Sequence, residues 1–179
     1  MKYRIKNTKT TLLILGIYQI FGGLAGLFVT AYLALKTGTI NGAIFLIFSI
    51  AIGLYLFSIK SGTVLIRKDY KRGLIYSMIN QAIQIFSIGI GSYIFDYSSG
   101  AKGMIGLNFT NGFKFKLDAG LTSEFNMAIN TDNLEYFIYV NLLAIFLLVV
   151  LNDIYKEKFC NKLNEKENIL NEGAENTTA

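Results

Sequence analysis

The chain has no histidine, no proline, no tryptophan and a single cysteine, Cys160. Each absence narrows its chemistry. With no His, one Cys and scattered carboxylates, the groups that nucleophilic, acid–base or metal-assisted catalysis must bring together are not visible. No catalytic residue, metal-ligand set or cofactor is therefore expected. Asp118 and Glu124 flank a turn, but their spacing fits no calcium loop. The glycines near Gly22, Gly100 and Gly103 lack the Lys-Ser/Thr that completes a phosphate-binding loop. A lone cysteine excludes an intrachain disulfide. Missing proline argues against the broken helices of many transporters.

Charge is scarce as well. Apolar residues make up 53% of the 179, above the roughly 45–50% of soluble domains, and the mean hydropathy is +0.43. Uncharged runs cover Leu12 to Leu35, Ile40 to Ile59, Leu74 to Phe95 and Tyr136 to Asn152. A bilayer core needs about 20 mostly apolar residues. By length alone the chain reads as an all-α integral membrane protein, one domain over 1–179. Four transmembrane helices are expected at about 12–35, 40–60, 74–95 and 135–153, and residues 171–179 read as a disordered tail. The first apolar run is too long for the core of a cleaved signal peptide, so it is expected to be retained.

Lys and Arg set the orientation. The N-terminal segment, the connection around Lys60 to Arg72 and the C-terminal tail carry 13 of them, against 4 on the other side. Both termini are expected in the cytoplasm, in an inner (cytoplasmic) membrane, with residues 96–134 as an extracytoplasmic loop. The net charge of +5 is then a topology signal, and no nucleic-acid partner is implied. Heavy use of Ile, Lys, Asn, Phe and Tyr suits an AT-rich, bacterial genome.

That loop has the most distinctive pattern in the chain. Between Ile105 and Ile129 odd positions are mostly apolar, while even ones are mostly polar or glycine. Period-two alternation is the mark of a half-buried strand. Gly106, Gly112 and Gly120 argue against a helix, at about 1 kcal/mol each relative to Ala. Parity restricts the turns. A three-residue loop, Thr110-Asn111-Gly112, pairs Phe109 with Phe113, Leu107 with Phe115 and Ile105 with Leu117, with Gly112 at the left-handed position. A second odd loop, Gly120 to Glu124, would pair Ala119 with Phe125. The prediction is a three-stranded antiparallel β-meander inserted between helices three and four.

One face of this meander is apolar: Ile105, Leu107, Phe109, Phe113, Phe115, Leu117, Phe125, Met127 and Ile129. Full burial of each side chain is worth about 1.5–3 kcal/mol, so something must cover the face. The candidates are the protein's own helices, lipid headgroups, or another polypeptide. A membrane-protein partner or a homo-oligomer is thus expected beside the lipid bilayer.

Within the expected spans the polar groups are amides: Gln19, Asn80, Gln81, Gln84 and Asn141. Asn80 and Gln84 share a helix face. Such amides usually hydrogen-bond between helices; a ligand pocket is the sharper alternative. Gly22 and Gly26, Ser49 and Gly53, and Ser87 and Gly91 have the spacing that permits close helix approach. Tyr155, Phe159 and Leu163 suggest an amphipathic extension of the last helix. The functional expectation is a non-enzymatic interaction or assembly subunit presenting its β-meander outside; the alternative is a small-molecule or lipid carrier with an amide-lined pocket.

Overall fold

The computed structural model describes residues 7–160 except 131 and 133. Three helices come first: α1 (Thr8–Lys36), α2 (Gly42–Ile66) and α3 (Tyr70–Ile83). Six strands follow: β1 (Phe86–Gly91), β2 (Tyr93–Ser98), β3 (Lys102–Asn108), β4 (Lys114–Gly120), β5 (Glu124–Ala128) and β6 (Glu135–Asn141). Helix α4 (Leu142–Tyr155) and a π-helical turn (Lys156–Cys160) end the described chain. Residues 171–179, expected as a tail, Leu163 and the basic residues at 2, 4, 6, 162 and 166 lie outside the described residues.

Every helix starts at a side chain that accepts from its first turn: Asn7 for α1, Asn41 for α2, Asp69 for α3 and Asn141 for α4. Asn and Asp are favoured there because their oxygens satisfy amides left without intrahelical partners. With 29 and 25 residues, α1 and α2 extend about 43 and 37 Å at 1.5 Å per residue. These two are long and apolar enough to cross a membrane. The 14 residues of α3 and of α4 reach only about 21 Å, short of a hydrocarbon core of about 30 Å.

The expected all-α bundle of four transmembrane helices is therefore incorrect: the chain carries a six-stranded antiparallel sheet. Both errors come from reading uncharged length before period. The expected span at 74–95 is helical only to Ile83. Beyond it Phe86, Ile88 and Ile90 alternate with Ser87, Gly89 and Gly91 as β1. The expected span at 135–153 begins as β6, whose Phe137-Ile138-Tyr139-Val140 core is aromatic and β-branched, the composition that suits a pleated surface. Asn141 then caps α4.

The three-stranded meander is corrected too. β3 and β4 pair Ile105 with Leu117 and Leu107 with Phe115, and Gly112 closes the turn at φ +90°. β5, however, pairs with β2 and not with β4. Residues between Gly120 and Glu124 are not a hairpin turn. Partners run Ile94–Ala128 to Ser98–Glu124, and then Lys102–Gly120 to Asn108–Lys114. Three residues separate Ser98 from Lys102, and three separate Gly120 from Glu124. One continuous register thus runs through 93–128: a single long hairpin, bent where Ser99, Gly100 and Ala101 face Leu121, Thr122 and Ser123.

The bend curls the whole sheet. Its order is β4-β3-β6-β1-β2-β5, so β4 and β5 are opposite edges. In a flat sheet with strands about 4.8 Å apart the edges would lie about 24 Å from each other. The short link from Gly120 to Glu124 reaches only about 14 Å fully extended. The edges must converge at the bend. Lys102 on β3 shows this directly, because its ammonium touches both Asp118 on β4 and Glu124 on β5.

Candidate functional site

The register sorts the strand residues onto two faces. Phe86, Ile88, Ile90, Tyr93, Phe95, Tyr97, Ile105, Leu107, Phe115, Leu117, Phe125, Met127, Tyr136, Ile138 and Val140 share the convex face. Every charged residue of the six strands lies on the other, concave face: Asp96, Lys102, Lys114, Lys116, Asp118, Glu124 and Glu135. This polarity is the reverse of a soluble barrel. The concave side does hold a small apolar cluster of Ile94, Met104, Phe137 and Tyr139. There the Phe137 and Tyr139 rings stack at 4.7 Å. Both lie over glycines: a Cβ at Gly89 would fall 2.4 Å from the Phe137 ring, and one at Gly106 2.7 Å from Tyr139.

Part of the convex face packs on the helices. Tyr97 is fully buried with Tyr55 and Ala51, and Leu27, Leu54, Phe95 and Phe125 close around them. The remainder is bare. Among the nine residues expected to form an interaction face, Phe113 is 72% exposed, Leu117 69% and Phe115 59%, and Phe109 and Ile129 are also exposed. Ile105, Leu107, Phe125 and Met127 are half-buried. The Phe109 and Phe113 rings meet across the turn with centroids 5.7 Å apart.

The expected intramembrane amides converge on the hairpin bend. Gln84 Oε1 accepts from the Ser99 amide at 2.8 Å, and the Gln84 side-chain amide donates to the Asn80 carbonyl at 3.0 Å. Asn80 Nδ2 donates to Ser58 Oγ at 3.1 Å and approaches Gln19 Oε1 at 3.5 Å. Ser58 Oγ lies 2.9 Å from Ser99 Oγ and 3.0 Å from the Gln19 carbonyl oxygen, to which it donates. The Tyr97 hydroxyl donates to the Leu54 carbonyl at 3.1 Å. Below them Gln81 is buried in α3. Asn141 sits at the β6–α4 junction, where its Oδ1 accepts from Gly103 and Ala144. All five amides are buried, and Gln19, Asn80 and Gln84 turn polar atoms toward one another and the bend.

Glycine allows the bend to come this close. A Cβ at Gly22 would stand 2.7 Å from the Ser99 carbonyl and the Gly100 nitrogen. Ser123 Oγ donates to the Gly22 carbonyl at 2.6 Å and accepts from the Gly100 amide at 2.9 Å, while the Tyr18 hydroxyl donates to Ala101 at 3.0 Å. The expected small-residue contacts divide. Gly22 faces the sheet and Gly26 lies under the Tyr55 ring. Gly53 faces open space, and Ser87 and Gly91 belong to a strand.

The concave charges are dominated by Lys102, whose side chain is only 8% exposed and lies 3.1 Å from Asp118. Burial pushes this ammonium down, but the hydrogen bonds and charges of Glu124 and Asp118 outweigh it and hold its pKa above the usual lysine value. Lys102 holds the Asp118 carboxyl below its ordinary value in return. Burial raises Asp96, Glu124 adds to the rise, and Lys102 opposes it. Lys116 rests 5.2 Å above the Tyr139 ring. An open depression of about 380 Å³ lies toward the hairpin tip, lined by Asn108, Thr110, Lys114, Lys116 and Glu135. Among the described residues no group of three or more His, Cys, Asp or Glu is arranged to hold a metal ion.

Sequence reasoning did not single out Ser58, Ser99, Ser123, Tyr97 or Lys102. Ser58 and Ser99 are ordinary hydroxyls in sequence and gain meaning only when the bend brings them together. Compared with family models, curated proteins and solved structures, the chain matches none.

Proposed function

We propose that this chain is a non-enzymatic assembly subunit of a cytoplasmic (inner) membrane, anchored by α1 and α2, that joins a second copy of itself through the free edge of β4. The anchor reading is supported by the distribution of charge. Lys9, Arg67, Lys68, Lys71, Arg72, Lys156 and Lys158 gather at the end formed by the start of α1, the α2–α3 turn and the end of α4. By the positive-inside rule that end is cytoplasmic and the sheet lies at the opposite side.

The observation that carries the assembly reading is β4 itself. It is exposed over most of its length, and its outer edge has no strand neighbour among the described residues. Open edges recruit strands. An antiparallel pair of β4 strands centred on Leu117 sets Lys116 opposite Asp118 twice and Phe115 opposite Ala119. No like charges oppose each other, and the two-fold arrangement closes on itself. β5, the other edge, packs beside α1 and α2.

Cysteines at Leu117, which faces its own copy in this register, and at Asn126, each in a Cys160→Ser background, test this in native membranes with a short bifunctional crosslinker. Leu117→Cys is expected to yield a species of twice the 20.0 kDa chain mass and Asn126→Cys to stay monomeric. A monomer at both positions contradicts the reading.

A further inference from the structure

We infer that the bare convex face of the sheet is covered by lipid acyl chains, so that the strands stand inside the outer half of the bilayer instead of above it. This rests on α1 and α2 crossing the membrane, and adds where the sheet lies relative to them. Three independent observations support it.

The first is depth. The hairpin bend docks at Gly22, the midpoint of α1 (Thr8–Lys36), through Ser123 and Ser99. From there β5 follows the outer half of both helices, since Phe125, Asn126 and Met127 line one cavity with Thr30, Leu33, Thr37, Phe48 and Tyr55. Strands beside that half of a spanning helix share its surroundings. Similarly α3 and α4 pack on the other half, with Leu74, Leu151 and Ile154 against Leu12 and Leu65. Each hands over to a strand at the level of the buried amides.

The second is continuity. α1 exposes Phe21, Leu24 and Phe28, the last by 76%, and α2 exposes Phe45, Ile52 and Leu56. The bare sheet face extends this apolar surface at the same height. The third is segregation: no charged residue of the strands lies on the convex face, and all lie on the concave one. Outward apolar and inward polar is the arrangement that hydrocarbon demands of β-structure. Tyr93 and Tyr136 stand at the outer ends of β2 and β6 and are exposed, the usual level for aromatic residues at a membrane interface.

Depth-dependent quenching tests this on the full chain in lipid nanodiscs. Single cysteines replacing Phe28, Leu117 and Phe113 carry an environment-sensitive fluorophore, against lipids spin-labelled high or low on the acyl chain and against aqueous iodide. Phe113 lies four residues from Leu117, about 13 Å along a strand. The expected result is acyl-chain quenching at Phe28 and Leu117, with the deep label several-fold more effective than the shallow one at Leu117. Phe113 should reverse that order. Iodide quenching at Leu117, with Phe28 quenched by lipid, would overturn the inference and leave the anchor intact. Protection of Leu117 from both quenchers would overturn it in favour of a protein cover. Absence of lipid quenching at Phe28 would remove the membrane anchor itself.

Discussion

The hydroxyl of Ser123 donates to the carbonyl oxygen of Gly22 at 2.6 Å, joining the bend of a β-hairpin to the middle of a 29-residue helix. The contact needs a helix without a side chain at that point and a hairpin without a turn at that point. Gly22 supplies one and the three-residue break at Leu121, Thr122 and Ser123 the other.

Gly22→Ala is expected to destabilise the fold by about 1–3 kcal/mol, the usual cost of overpacking, because the new methyl meets the backbone of Ser99 and Gly100 in the bend. Gly53→Ala is the control. It meets open space and should stabilise α2 by up to about 1 kcal/mol through helix propensity. Denaturant unfolding in detergent micelles measures both; equal effects would contradict the assignment of Gly22 to the bend.

Asn80→Ala should cost about 1–3 kcal/mol by leaving Ser58 Oγ without its Asn80 donor in a buried layer. Combined with Ser58→Ala, the loss should be less than additive by about 0.5 kcal/mol or more, as expected of residues in one network. Strict additivity in a double-mutant cycle would show that the two side chains act separately.

How much of this was legible beforehand depends on the segment. The β3–β4 hairpin was accessible, since parity, Gly112 and the alternation from Ile105 to Leu117 all require one register. β1 and β6 were hidden, because an uncharged run such as Leu74 to Phe95 satisfies a length test whatever its period. Ser87, Gly89 and Gly91 do carry the period-two signal when examined alone. The pairing of β5 with β2 was not legible. A strand's partner is chosen by long-range packing, here by Tyr97 and Phe125 against Tyr55, and the stretch around Glu124 reads equally as turn or bend. The buried amides were visible as amides; that they hold a hairpin bend was not.

Gly112→Val should destabilise the β3–β4 hairpin by about 1–2 kcal/mol, since a side chain is strained at a positive φ. Hydrogen exchange should show the loss at β3 and β4 and leave α1 and α2 protected. Uniform loss across all elements would mean that the hairpin is not a separable unit.

The ion pairs of Lys102 give the sheet a defined pH response. Asp118 has a depressed pKa, so its contribution is present above the ordinary Asp value of about 3.9 and is lost as pH falls through the lowered folded value. Lys102 has a raised pKa. Its contribution is fully present below the ordinary lysine value of about 10.4 and is lost as pH rises from there through the raised folded one. Thermal unfolding should therefore fall off below about pH 4, and Lys102→Met should flatten that limb. Superimposable pH profiles for the two proteins would show that the clamp does not bear on stability.

The central claim, that the hairpin bend sits against the middle of the α1–α2 helical hairpin, is tested most directly at Ser58 and Ser99, whose Oγ atoms are 2.9 Å apart. In a Cys160→Ser background, Ser58→Cys with Ser99→Cys should form an intramolecular disulfide on mild oxidation in native membranes. Before oxidation, neither thiol should react with a membrane-impermeant maleimide. Rapid labelling of the cysteine at 99 without any disulfide would put the bend in water, away from α2, and would contradict the account.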